Sequence, residues 1–229
     1  FVKYSFLSFL KSLFVFGWFY LMLFLDYGSL TAFNRAPVTF SFNNQPFSFY
    51  FGLGMDDIFS KPIRGFSMTN MLFPVLYSDV WGDYWGYFIV TMGRGGLEAN
   101  YEIVRYLGRV NLVSIHPTLL MLSGIVGFLL KFNKNQKNGV FYTFILSAIM
   151  FFWIGYMWFL IKYPIPLKGD TIKGTYILPL IHLLPFFGAY LLDQIKESSL
   201  KMYNLIFGIL ILIMIHNLPA MVTRFFGGM

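Results

Sequence analysis

Cysteine is absent from all 229 residues, which excludes disulfides, thiolate metal sites and a cysteine nucleophile while leaving the compartment open. Charge is scarce as well. Asp, Glu, Lys and Arg make up 12 % of the chain, against roughly a quarter in a soluble domain. No Asn-x-Ser/Thr glycan acceptor occurs. In place of charge stand 57 % hydrophobic and 21 % aromatic residues, a balance that belongs in a lipid bilayer. The formal charge of +7 does not point to nucleic acid, because the bases are dispersed and several sit at the ends of apolar runs.

A hydrocarbon core about 30 Å thick takes about 20 residues of helix to cross. Uncharged runs near 110–130, 139–161, 174–192 and 202–223 meet that length. A fifth span is expected over 4–25, with Lys11 snorkelling toward the headgroups. A signal peptide is the competing reading there, but Asp26-Tyr27-Gly28 stands where small cleavage-site residues belong. The expectation is an all-α polytopic membrane protein of about five helices, with one long loop, 27–109, carrying short interfacial helices.

Lys3, Lys11, Lys131, Lys134, Lys137, Lys196 and Lys201 gather at one set of span ends, and Lys162, Lys168, Lys173 and Arg224 at the other. The first set predicts a cytoplasmic N-terminus and an extracytoplasmic long loop. Within that loop, Phe40, Phe42, Phe47, Phe49 and Phe51 fit a short hairpin or an interfacial lid. The apolar run 85–92 is too short to cross and reads as a re-entrant or interfacial helix. Residues 98–109 read as an amphipathic surface helix leading into the next span.

Asp79 and Asp83 lie four apart, so on a helix they would share a face. Tyr77, Trp81, Tyr84, Trp85 and Tyr87 surround them. Aromatic faces stack on pyranose rings, while carboxylates accept from hydroxyls or take a proton from an attacking one. The plain alternative is an aromatic belt with a helix-capping Asp. Lys168, Asp170 and Lys173 precede another span on the same side, where a helix N-terminus and two ammonium groups favour a phosphate; a capping Asp170 and solvated lysines remain the alternative. Arg109, just before a span, can grip two phosphate oxygens or simply anchor in the headgroups. His116, His182 and His216 fall in three different spans at different depths, which argues for packing roles over one shared metal.

Three segments together resemble the C-terminal half of prokaryotic integral-membrane glycosyltransferases of the C-type (GT-C) superfamily: Leu76-Tyr77-Ser78-Asp79-Val80-Trp81-Gly82-Asp83-Tyr84-Trp85-Gly86-Tyr87-Phe88, Gly108-Arg109-Val110-Asn111-Leu112-Val113-Ser114 and Lys168-Gly169-Asp170-Thr171-Ile172-Lys173-Gly174-Thr175-Tyr176. The likeness covers roughly residues 70–225 and rests on order, spacing and span topology together. It implies many spans, a polyprenyl-phosphate-linked sugar donor and an extracytoplasmic active site. Relatives carry their catalytic carboxylate in an early outer loop, and a start at Phe1 implies either processing or an incomplete chain without that part.

The expected roles are therefore Asp79 and Asp83 as catalytic carboxylates, and Trp81, Tyr84, Trp85, Arg109, Lys168, Asp170 and Lys173 as substrate contacts. No metal ligand is assigned, and a divalent cation beside the acids is left open as a cofactor. Membrane lipid, a polyprenyl-phosphate sugar and other membrane subunits are the expected partners. The alternatives are oligosaccharyl transfer, a noncatalytic subunit scaffolding a larger complex, and a transporter or redox subunit. Transport is disfavoured because the four full-length spans hold no Asp, Glu, Lys or Arg, and histidine is their one basic residue type.

Overall fold

The computed structural model describes residues 10–11, 17–18, 21–28, 38–60, 70–82, 101–130, 139–164 and 172–226, with backbone alone at 56–57, 101–104 and 221–226. The chain divides into two units, Phe1–Val38 and Thr39–Met229. In the first, residues 21–27 are helical, and most of the expected span 4–25 lies outside the described residues.

The second unit is an all-α membrane domain, and no strand occurs among the described residues. Its helices are α1 (Phe47–Phe51), α2 (Met55–Ser60), α3 (Leu72–Trp81), α4 (Tyr101–Val113), α5 (Ile115–Leu130), α6 (Gly139–Lys162), α7 (Leu178–Ser198) and α8 (Leu200–Phe226). A 3-10 turn at Phe42–Asn44 precedes α1, and another at Gly174–Ile177 leads into α7. Among the described residues four stretches are long and apolar enough to cross a membrane: Arg105–Leu130, Gly139–Lys162, Gly174–Ser198 and Leu200–Ala220.

One expectation is corrected. The phenylalanine-rich segment is no hairpin. Ser41 Oγ caps the first 3-10 turn by accepting from Asn43 N–H at 3.2 Å, and Pro46 sits at the N-cap of α1, so the chain coils where the alternation pointed to strands. The helix expected over 98–109 to lead into the next span is α4, from Tyr101. α4 and α5 adjoin at Ser114 and form one long apolar stretch from Arg105. Pro117 has no N–H to offer the Val113 carbonyl, its regular helical partner, and the ring Nδ1 of His116 lies 3.1 Å from that carbonyl instead.

α7 is the hub, packing on α5, α6 and α8. Between membrane helices the driving force is close packing rather than water exclusion, and small residues let backbones approach. Gly124 of α5 lies so close to the Phe187 backbone carbonyl of α7 that a Cβ there would collide with it, and Gly188 faces Met121. Around this crossing Phe128, Tyr142, Phe187 and Tyr190 form an aromatic cluster, with Tyr142 and Tyr190 rings 4.9 Å apart and Phe128 and Phe187 rings 5.7 Å apart.

At the other end of α6 the loop segment caps the helix. The last carbonyls of a helix have no partner of their own. Here Gln45 Nε2 donates to Leu160 O at 2.8 Å and Asn44 Nδ2 donates to Ile161 O at 3.0 Å. Asn70 Nδ2 donates to Gln45 Oε1 at 3.0 Å and fixes that amide. Residues 41–51 are thereby fastened to the Lys162 end of the bundle.

Gly124→Ala should destabilise the α5–α7 crossing by about 1–3 kcal/mol through overpacking, whereas Gly127→Ala, with open space around its Cβ, should be close to neutral; thermal unfolding of both variants in detergent checks the contrast. Gln45→Ala strands the Leu160 carbonyl and the Asn70 amide and should cost about 1–3 kcal/mol, read as increased amide exchange in residues 39–51 with the distal α5–α7 crossing unchanged.

Candidate functional site

α3 carries Asp79, and its sequence explains the helix. Pro74 falls in the first turn, where a missing N–H breaks no bond, and the backbone N–H of Gly82 closes the last turn on Ser78 O at 2.8 Å. Leu72, Pro74, Val75, Leu76, Ser78 and Asp79 are all buried. A ten-residue helix with that much buried surface is a wedge between other elements, and its polar residues have to be answered inside the protein.

They are answered from two directions. On one side Asn111, fully buried in α4, donates through Nδ2 to Ser78 Oγ at 3.0 Å and to Ile58 O at 2.9 Å, while Tyr77 Oη donates to Asn111 O at 2.8 Å. On the other side Asp79, 1 % exposed, accepts through Oδ2 from the backbone N–H of Gly174 at 3.0 Å. Next to that bond the Tyr156 hydroxyl accepts from the Lys173 N–H at 2.9 Å. The first N–H groups of the 3-10 turn leading into α7 are thus capped by side chains from α3 and α6. This is capping from a distance, with Asp79 standing where a local Ser or Asp usually does.

Of the nine residues singled out in the sequence, four are described. Asp79 and Lys173 are brought to the same place through Gly174. Lys173 is half-buried, and its Nζ lies 5.8 Å above the Tyr176 ring, a cation–π arrangement. Trp81 packs against Leu107, Val110 and Ala220. Arg109 is exposed on α4, between the buried Gly108 and Val110. Asp83, Tyr84, Trp85, Lys168 and Asp170 lie outside the described residues, as does the apolar run 85–92. α3 ends at Trp81, so the helical face expected to join Asp79 and Asp83 is not continued by that helix.

Asn111, Ser78, Tyr156 and Gly174 hold this end of the bundle together, and none of them was given a role from sequence. Asn111 carried a signal, being an amide inside an uncharged run. Gly108, three residues before it, lets α4 approach α2 so closely that a Cβ would strike the Phe59 carbonyl.

A second polar contact joins α4 to α8. Pro219 interrupts the α8 ladder, and the Tyr106 hydroxyl occupies the gap, donating to His216 O at 2.7 Å and accepting from Ala220 N–H at 3.1 Å. Asn217 Nδ2 donates to Ser114 Oγ at 2.9 Å, and the His216 ring lies 2.9 Å from Asn217 Oδ1. His182 lies 2.8 Å from the Leu178 carbonyl of its own helix. The three histidines therefore make separate, local hydrogen bonds. Outside the spans, burial pushes the Tyr50 phenol above its ordinary value while its hydroxyl donates to Phe42 O at 2.9 Å.

Comparison with protein-family models, with curated proteins and with solved structures finds no match to this chain.

Asp79→Asn keeps an oxygen for the Gly174 N–H, whereas Asp79→Ala leaves that donor buried and unanswered at about 1–3 kcal/mol. Amide exchange at Gly174 should therefore accelerate in the Ala variant and stay near the parent rate in the Asn variant; equal protection in all three proteins would remove Asp79 as the anchor.

Proposed function

We propose that this chain is a C-type membrane glycosyltransferase, or the C-terminal portion of one, moving a sugar from a polyprenyl-phosphate-linked donor to an acceptor on the extracytoplasmic side. One observation carries the reading. The three segments that resemble that superfamily are far apart in sequence, yet Ser78 of the first bonds Asn111 of the second and Asp79 of the first bonds Gly174 of the third. Segments of a single site have to meet, and these do.

In this reading Lys173, with Lys168 and Arg109, supplies positive charge for the donor phosphate. Asp79 acts through the segment it holds, as a positioning residue, and Asp83 is the carboxylate offered to the acceptor hydroxyl. Trp81, Tyr84 and Trp85 supply aromatic surface near the sugar, and Asp170 hydroxyl contacts. The acceptor oxygen forms a bond to the anomeric carbon as the bond from that carbon to the phosphate oxygen breaks. The leaving polyprenyl phosphate takes the electron pair, and the acceptor proton passes to the carboxylate. No metal is required for this balance.

A second reading, a noncatalytic membrane subunit, is favoured by the burial of Asp79, since a carboxylate that is 1 % exposed and bonded to backbone serves architecture well. Purified chain in liposomes with a radiolabelled polyprenyl-phosphate sugar and its membrane extract separates the two. The transferase reading expects label to leave the lipid, Asp83→Asn to abolish this, and Lys173→Glu to raise the donor concentration needed. Full transfer by Asp83→Asn removes that acid from the mechanism. No transfer, together with stoichiometric copurification of other membrane proteins, establishes the subunit.

A further inference from the structure

α3 is not among the stretches long enough to span, and from sequence it belongs to a loop outside the bilayer. Its contacts with α6 place it elsewhere. α6 crosses the membrane and ends at Lys162, so positions along it serve as a depth scale at 1.5 Å per residue. The chain approaches α3 at Asn70, which bonds Gln45, whose own amide bonds Leu160 O, about 3 Å below Lys162 on that scale. Three residues later the Phe73 ring lies 6.4 Å from that of Trp153, about 13 Å below Lys162. At its far end Asp79 bonds Gly174, whose neighbour Lys173 bonds Tyr156, about 9 Å below. The path goes down and, by Asp79, has turned part of the way back.

We infer that α3 is a re-entrant helix seated within the hydrocarbon layer, and that the outer face of Phe73 contacts lipid acyl chains. The inference stands apart from any transfer chemistry. Ten helical residues extend about 15 Å, half the thickness of the hydrocarbon layer, so the element fits that depth without crossing. Irregular backbone at such a depth survives only where protein answers its polar groups, and here Gln45 answers the Leu160 carbonyl, Asn111 the Ile58 carbonyl and Asp79 the Gly174 N–H.

The outer surface has the matching chemistry. Phe73 is 51 % exposed although it adjoins a membrane-crossing helix. Phe42, Phe47 and Phe51 are likewise exposed on the segment fastened to Leu160 and Ile161. That is headgroup level, where aromatic rings gather. An apolar surface thus runs from the α6 end down to Phe73.

The absence of cysteine makes the test direct. Nitroxide labels are placed singly at Phe73→Cys, at Phe151→Cys in mid-α6 as the lipid control, and at Ser199→Cys in the α7–α8 connection as the aqueous control. The full chain is reconstituted in phosphatidylcholine bilayers, and collision with oxygen is compared with collision with a water-soluble nickel chelate. The label at 73 should favour oxygen as the label at 151 does. Nickel access like that at 199 would place α3 in water, and exclusion of both reagents would show protein over Phe73; either result overturns the inference. Phe47→Cys adds a second reading in the same element group, expected between the two controls, and nickel access there equal to that at 199 also counts against membrane seating.

Discussion

Backbone groups that leave a helix inside or at the edge of a bilayer have no water to turn to, so the protein itself has to supply each partner. That requirement governs the described end of this bundle. Gln45 and Asn44 take the last carbonyls of α6, Asp79 and Tyr156 take the N–H groups ahead of α7, and the Tyr106 hydroxyl fills the gap beside Pro219 in α8. Each partner comes from a different element than the group it satisfies. The helices are consequently tied to one another at the points where their own ladders stop, and that is why three loop-derived helices can sit among membrane spans.

The same bonds define the candidate site. A buried carboxylate bonded to a backbone N–H is strongly committed, because releasing it exposes both a charge and a donor to a poor solvent. Asp79 is therefore better suited to holding the Lys173–Gly174 segment than to exchanging protons with a substrate. The proposed chemistry moves accordingly to Asp83 and to the cations around the donor phosphate, with Asp79 fixing where Lys173 begins its helix. The alternative assignment as a noncatalytic subunit draws on the same geometry, and the two differ in what the anchored segment is for.

Much of the architecture was legible in the chain. Uncharged runs of about 20 residues have one stable solution in a bilayer, and each of the four full-length runs coincides largely with a helix long and apolar enough to cross. Their ends were less legible. The run beginning at Val110 belongs to a helix already under way at Arg105, because Arg105 and Arg109 interrupt the apolar pattern without interrupting the helix. Alternating phenylalanines pointed to strands, but Ser41 and Pro46 are capping residues, and in the coil they start Phe49 is buried while Phe47 and Phe51 are exposed. For the site, the segments around Asp79, Asn111 and Lys173 were recognisable, while their contacts were not, since no local pattern records which carbonyl or N–H a distant side chain will satisfy.

By itself the sequence determined the membrane class, the helical fold and the full-length spans, because hydrocarbon thickness and backbone hydrogen bonding leave little choice for chains of this composition. Only the tertiary structure decided that Asp79 meets Gly174, that Gln45 closes α6 and that Phe73 lies beside Trp153. Those pairings join residues from about 80 to 115 positions apart, and they depend on how helices pack and where their ladders end, which is fixed by the surfaces of several elements at once rather than by any one stretch of chain.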